Sequence, residues 1–494
     1  MSEGSIQSRA MRFAGQFVLR PPAGLARRER LDFSEAKLGS GFELLTHHSA
    51  PIHRGAGAAE VALVGTALSP AAPGATDREI AQRLATCATF DDLERATASL
   101  TGRWLLFASI GGQSRLYPDA TCSRAIFYAG EGAQVTAASQ PALLAEEANV
   151  PADATLLSKL WASPSADAWP AAFTPYPGAR QLLPNHYLDL STGRAVRFWP
   201  KRELQAVALD DAACGFADTL TGVFRALSRR GAAINLPITG GIDSRMLLAC
   251  SREIRQQVRC FTVVDAATPL HDVLLPLRLF GKLGLDFRFV VARSSSQSDE
   301  LLRLNTGSVW RDPHEHRISA FRAQGVHALG TVSEVCRCYY YSQGEHPTSV
   351  DGQLLARLAG WGDERLAIVA YEQWLAELPD SNVPILDLFY WECRLGNWAA
   401  LDAMALDGHA QNLSPFNCRS LLELGLGVET RHRRAPHALQ QRVCDLAAPE
   451  LRGLPFNRTW LGSLSGRARG AIPGGLREGM KQVRRRMAGA PLRA

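Results

Sequence analysis

The chain predicts an α+β N-terminal domain rich in antiparallel sheet, then an α/β domain with a parallel sheet and a helical C-terminal part. Three observations carry this reading. Residues 1–205 read as short β-branched and aromatic runs cut by Gly, Asp and Pro turns. From residue 206 buried strands alternate with helices, the pattern of parallel βαβ units in a doubly wound sheet. From about residue 350 helices dominate.

The N-terminal strands are expected at "RWLLFASI" (103–110), "SRLYP" (114–118), "RAIFYA" (124–129), "AQVTAAS" (133–139) and "NHYLDL" (185–190). A helix is expected over "TDREIAQRLATC" (76–87), with Thr76 placed to cap it. After residue 206, a helix near "DDAACGFADTLTGVFRALSRR" leads to the strand "INLPI" (234–238). "QVRCFTVVDAA" (257–267) reads as a second buried strand, "DVLLPLRLFGKLG" as a helix and "DFRFVVA" as a third strand. "DGQLLARLAGWGDERLAIVAYEQWLAEL" opens the helical part. The expected domains are 1–205, 206–462 and a basic tail, 463–494.

The composition narrows the functional classes. A chain of 494 residues with 46% hydrophobic and 21% charged residues is an ordinary globular protein, long enough for two or three cores. No run reaches the roughly 18 apolar residues of a membrane helix, and the N-terminus has no signal-peptide core. The ten cysteines are scattered, with only Cys336 and Cys338 close, so reduced thiols in a cytoplasm are expected. The net charge of +6 comes from the tail, which holds eight Lys or Arg and one Glu; the rest is nearly neutral. Nucleic acid is therefore not the expected partner.

The chemistry gathers at "INLPITGGIDSRMLLAC" (234–250). A buried strand ends at Ile238, Thr239 to Gly241 make a turn, and Ile242, Asp243 and Ser244 open a helix. Glycines remove Cβ atoms where the chain turns and a ligand comes close. Free N–H groups and the helix dipole then meet at one spot, which makes an anion site. The turn is neither a Walker A loop, lacking its Lys, nor GxGxxG. On purely structural grounds Asp243 has the alternative of capping the helix.

Thr-Gly-Gly-Ile-Asp-Ser resembles the Ser-Gly-Gly-x-Asp-Ser pyrophosphate loop of the ATP pyrophosphatases, a family that includes asparagine synthetase and β-lactam synthetase. "CFTVVDAATPLHD", with Asp265 and Asp272, is similar to the strand and acidic segment that follow in those enzymes. "GTVSEVCRCYYY" (330–341) is similar to their Gly-Glu-Gly-x-Asp-Glu motif, with Glu334 for the Asp, Thr331 for the first Glu and Val335 for the last. "SPFN" (414–417) is similar to their Pro-Phe-Leu-Asp. In the first half, "LYPDATCSRAIFYA", "TAASQPALL" and "LLPNHYLDLSTGRAVRFW" resemble a class II glutaminase. The resemblance implies an Ntn-hydrolase-like N-terminal domain and a PP-loop (adenine nucleotide α-hydrolase-like) second domain. It implies ATP held by Ile238 to Ser244, Val264 and Gly330, and Mg²⁺ held by Asp243 and Glu334. It also implies catalytic roles for Glu334, for Tyr339 in a base dyad and for Arg458 where the family has a Lys. Glu334 has a second reading as a salt-bridge partner of Arg337.

Departures shape the expected function. The glutaminase needs an N-terminal Cys whose α-amine is the base. Arg12 stands at that place, and Ser2 is the true second residue. The expectation is therefore an ATP-dependent amide-forming ligase that adenylates a carboxylate and transfers it to an amine without hydrolysing glutamine, intramolecular lactam closure included. The alternatives are an ammonia-dependent asparagine synthetase and a nucleotide-binding scaffold without turnover; a tRNA-modifying enzyme ranks last. A homodimer is left open.

Overall fold

The structure is a computed structural model that describes residues 12–22, 30, 32–163, 165–166, 168–264, 268–291, 325–408 and 410–456. Within them, period-2 alternation builds the N-terminal half into two six-stranded antiparallel sheets. One contains β1 (Phe17–Arg20), β2 (Phe33–Lys37), β3 (Glu43–His47), β8 (Phe127–Ala129), β9 (Thr136–Ala138) and β10 (Arg180–Gln181), in the order β10-β8-β9-β1-β3-β2. The other contains β4 (Ile52–Ala56), β5 (Glu60–Leu68), β6 (Thr101–Ile110), β7 (Gln113–Pro118), β11 (His186–Asp189) and β12 (Arg194–Arg197), in the order β12-β11-β7-β6-β5-β4.

Phe17, Leu19 and Leu44 from the first sheet and Ala62, Val64, Leu105 and Phe107 from the second form one shared core. Each leucine-sized side chain buried there contributes about 1.5–3 kcal/mol. The opposite-parity residues Val18, Val61, Leu63 and Leu106 belong to a second buried cluster, because helices cover the outer faces. Helix α1 (Asp77–Leu84) lies on β4 and β5, and α2 (Pro141–Ala148) on β8 and β9. The layers thus run helix, sheet, sheet, helix. Thr76 does cap α1: it accepts from the Glu79 N–H, and Glu79 reaches back to the Thr76 N–H in a capping box.

Two strands are shorter than the sequence predicts. Residues 124–126 stay outside β8 because Asp119 gathers the N–H groups of Thr121, Ser123 and Arg124 at 2.9–3.2 Å, which bends the chain into a loop. Gly132–Gln134 form a single 3₁₀ turn before β9.

The third sheet is wholly parallel, as expected from the βαβ pattern. It holds β13 (Ile234–Pro237), β14 (Val258–Val264), β15 (Phe287–Val291), β16 (Val326–Ala328) and β17 (Gln411–Leu413) in the order β15-β14-β13-β16-β17. Helix α3 (Leu209–Arg229) precedes β13, α4 (Ile242–Cys250) follows it, and α5 (Leu270–Leu283) links β14 to β15. The chain steps outward from β13 to β14 and β15, then returns to the other side for β16. Strand order therefore reverses between β13 and β16, and the loops leaving these two strands frame a crevice at their carboxyl ends.

The two halves are bonded to each other at several points. Trp391 Nε1 donates to Ala120 O (2.7 Å), Thr101 Oγ1 to Pro415 O (3.2 Å) and Asn417 Nδ2 to Asp119 (2.9 Å). Arg103 pairs with Asp407, and Arg197 with the fully buried Glu392. Among the described residues no helix is long and apolar enough to cross a membrane.

Candidate functional site

Both loops at the reversal point carry the residues that the sequence singles out. The Ile238 N–H donates to Phe261 O at 2.8 Å, and Thr262 Oγ1 donates to Ile238 O at 2.5 Å, so the strand end is locked to β14. Thr239, Gly240 and Gly241 then turn the chain, and Ile242 drops into the core at 1% exposure. Gly241 is the N-cap of α4 and supplies no side-chain cap, so the first-turn amides of Ile242, Asp243 and Ser244 have no intrahelical acceptor. Asp243 does not cap the helix. Its carboxylate accepts from Ser333 Oγ and pairs with Arg337 Nη2 at 3.0 Å.

The three amides before α4 are already used, by side chains of the turn, of α4 and of α5. Thr239 N–H donates to Ser244 Oγ (3.2 Å), Gly240 N–H to Asp272 Oδ1 (2.8 Å) and Gly241 N–H to Thr239 Oγ1 (3.1 Å). A Cβ on Gly240 would stand 3.0 Å from the His271 carbonyl oxygen, so this position has no room for a side chain. Val264 lies at the carboxyl end of β14, paired with Val291.

The second loop leaves β16 at Leu329. A Cβ on Gly330 would come within 3.3 Å of the Ser244 amide nitrogen and 3.6 Å of the Asp243 Cβ, so glycine here lets the two loops touch. Ser414 Oγ donates to Thr331 O at 2.6 Å, which ties the "SPFN" run to this loop; Asn417 instead turns into the interface with the N-terminal sheets. Val332 takes φ 89°, a left-handed conformation strained for a β-branched residue, where the resembled motif has its second Gly. Ser333 to Arg337 follow as a 3₁₀ turn.

Glu334 Oε1 lies 3.3 Å from the same Arg337 Nη2 that meets Asp243. The structure therefore brings Asp243 and Glu334 together, with one guanidinium between them, and the pairing it shows for Glu334 is the salt bridge with Arg337. Burial, and then the Asp243 charge, push the Glu334 carboxyl above its ordinary range, against the opposing pull of Arg337. Among the described residues, Glu334 Oε2 and Arg337 Nε are buried with no hydrogen-bond partner. Such atoms cost free energy unless a ligand or water meets them.

Tyr339 is 45% exposed and packs on Tyr340 and Tyr390, with the Arg394 guanidinium 5.7 Å from its ring centre. No hydrogen bond from Tyr339 to a carboxylate is present among the described residues. Tyr341 has such a partner, Asp387 at 2.7 Å, but both are buried beneath the loop. Arg458, Asp265, Ser2 and the basic tail lie outside the described residues.

Ser333, Arg337, Asp272, Tyr390 and His437 belong to the neighbourhood too. Burial, with Glu334 nearby, pushes the Tyr390 phenol up, and burial lowers the His437 imidazole, which also feels Arg337 and Asp243. Ser333 and Arg337 flank Glu334 in sequence, a detectable signal. Asp272, Tyr390 and His437 arrive by tertiary packing alone.

Mg²⁺ takes oxygen ligands at about 2.0–2.1 Å in an octahedron. An ion between Asp243 and Glu334 would lie against the Arg337 guanidinium, cation on cation. The described residues contain no group of three His, Cys, Asp or Glu that could hold a metal. With Arg337 in place, the acid pair does not fit the expected Mg²⁺.

The strand-order reversal thus brings a glycine turn, a helix start without a side-chain cap and a loop with a paired acid together at the carboxyl ends of a parallel sheet. No family model matches the chain, and no curated protein matches it. Among solved structures the chain is weakly similar to the glutamine phosphoribosylpyrophosphate (PRPP) amidotransferase from B. subtilis complexed with ADP and GMP. The identity is 10% over 63% of this chain and 90% of that one, with a TM-score of 0.26. It is as weakly similar to the allosteric regulatory enzyme of purine biosynthesis, at 10% identity over 61% of this chain and 84% of that one, TM-score 0.25.

Proposed function

We propose that the chain is an ATP-dependent amide-forming ligase of the asparagine synthetase-like type, which adenylates a carboxylate with release of pyrophosphate and passes the acyl group to an amine. The observation that supports this most is the meeting of Asp243 and Glu334 at the reversal point, beside the uncapped start of α4. In this reading the first-turn amides of Ile242 to Ser244 hold phosphate oxygens, and Arg337 adds positive charge where negative charge gathers. Helix α4 presents its positive end to the same place.

The helix-sheet-sheet-helix layering of the first half supports an Ntn-hydrolase-like domain without a nucleophile at the expected place. Arg12, at the position of the catalytic Cys, donates to Glu146 at 3.0 Å, and its carbonyl accepts from Gln140. The amine in this reading comes from the substrate itself or from free ammonia, and not from glutamine.

The test is carboxylate-dependent ATP–pyrophosphate exchange by the full chain across a panel of amino acids and peptides, with mass spectrometry for AMP and amide. Exchange by the wild type and its loss in Asp243→Ala is the expected result. Tight ATP binding without exchange, AMP or amide across the panel would refute turnover. It would favour the second reading, a nucleotide-binding scaffold, for which one observation speaks: Asp272 already occupies the Gly240 N–H with a carboxylate.

A further inference from the structure

We infer that Arg337 is the resident cation of this site and takes over the charge-bridging part that a divalent ion would play between the two acids, so that a polyphosphate chain binds without a metal between Asp243 and Glu334. This deepens the ATP reading above and rests on it.

The geometry carries the inference. One nitrogen, Nη2, lies 3.0 Å from Asp243 Oδ2 and 3.3 Å from Glu334 Oε1, so a single positive group already spans both carboxylates. The second group on Asp243 is the Ser333 hydroxyl, a donor toward Asp243 and not a further anionic ligand. The guanidinium is not spent on this pairing, because its Nε is buried without a hydrogen-bond partner among the described residues. A planar guanidinium with a donor in reserve is suited to a phosphate oxygen. Its backbone is fixed as well. The 3₁₀ turn that carries it is followed by Cys338 in the left-handed region, and the next turn is anchored by the Tyr341–Asp387 hydrogen bond.

Two measurements on the full-length protein test this, each on wild type, Arg337→Met and Arg337→Lys, with circular dichroism confirming that every variant is folded. In the first, ATP binding is followed calorimetrically in excess EDTA and in excess Mg²⁺. The wild type is expected to bind in both, with affinities within about threefold. Arg337→Met is expected to lose at least about tenfold in EDTA, the scale of one charge-assisted hydrogen bond, and to recover with Mg²⁺; Arg337→Lys should fall between. Wild-type binding abolished by EDTA would overturn the inference.

The second measurement needs no nucleotide. Mn²⁺ alone is titrated while its paramagnetic resonance signal is recorded. Arg337→Met is expected to bind one Mn²⁺ and the wild type none. Mn²⁺ bound by the wild type, and lost in Asp243→Asn, would overturn the resident-cation assignment. If ATP binds under neither condition, the nucleotide reading fails, and the Mn²⁺ result alone then decides the role of Arg337.

Discussion

Beneath the site, Asp387 and Arg433 are each 1% exposed and paired at 2.8 Å, with Tyr341 Oη donating to the same Asp387 oxygen at 2.7 Å and Arg433 Nε donating to Val428 O. Asp387→Asn keeps the shape but removes the charge and strands Arg433 in the interior. Breaking a buried pair from one side costs about 3–5 kcal/mol. Removing both charges together is far milder, so Asp387→Asn/Arg433→Met should be more stable than Asp387→Asn alone. Guanidinium denaturation followed by tryptophan fluorescence measures this, read as differences between variants. Because Tyr341 ends the segment that begins at Glu334, the proposed ATP binding should also weaken in Asp387→Asn. A cost below about 1 kcal/mol for Asp387→Asn, or a double variant less stable than that single one, would refute the stranded-charge reasoning.

Three further outcomes are expected. Val332, at φ 89° and 3% exposed, should give a reversed ranking in which Val332→Gly is more stable than Val332→Ala by roughly 0.5–1 kcal/mol, measured by chemical denaturation; the usual order of Ala over Gly would show no strain there. Asp272→Asn keeps an acceptor for the Gly240 N–H but removes a negative charge from the turn, so calorimetry should show pyrophosphate binding tightened by about three- to tenfold; weaker binding would mean the carboxylate helps to shape the site. Burial works to raise the Glu147 carboxyl, yet the Arg20 hydrogen bond and the Arg30 charge outweigh it and hold the group below its ordinary 4.5. Its stabilisation is therefore present above pH 4.5 and lost as pH falls through the folded value, so the gap in melting temperature between wild type and Glu147→Gln should be widest near neutrality and close in acid.

The legible part of this chain is the part set by local pattern. The turn-bounded apolar run "RWLLFASI" and the strand–turn–helix texture at 234–250 depend on neighbours a few residues away, and both elements form as read. The Asp119 loop was hidden, because nothing in a β-rich run signals that one carboxylate will collect three amides of its own loop. At the site, Asp243 and Glu334 were readable from their motifs. Their shared guanidinium was half readable, since Arg337 three residues after Glu334 suggests a pair but not a bridge to Asp243. Tyr390 and His437 come from helices more than fifty residues downstream and carry no local mark.

The bonds between the halves bear on how this protein can be dissected. Glu392 sits at 0% exposure with Asn185, Arg197 and Trp374 around it, and two of those three lie before residue 205. Expressed alone, the C-terminal half would keep a buried carboxylate stripped of its arginine, with Asp407 and Trp391 likewise facing lost partners. A cut at residue 205 should yield insoluble fragments, recoverable only when both pieces are made in the same cell.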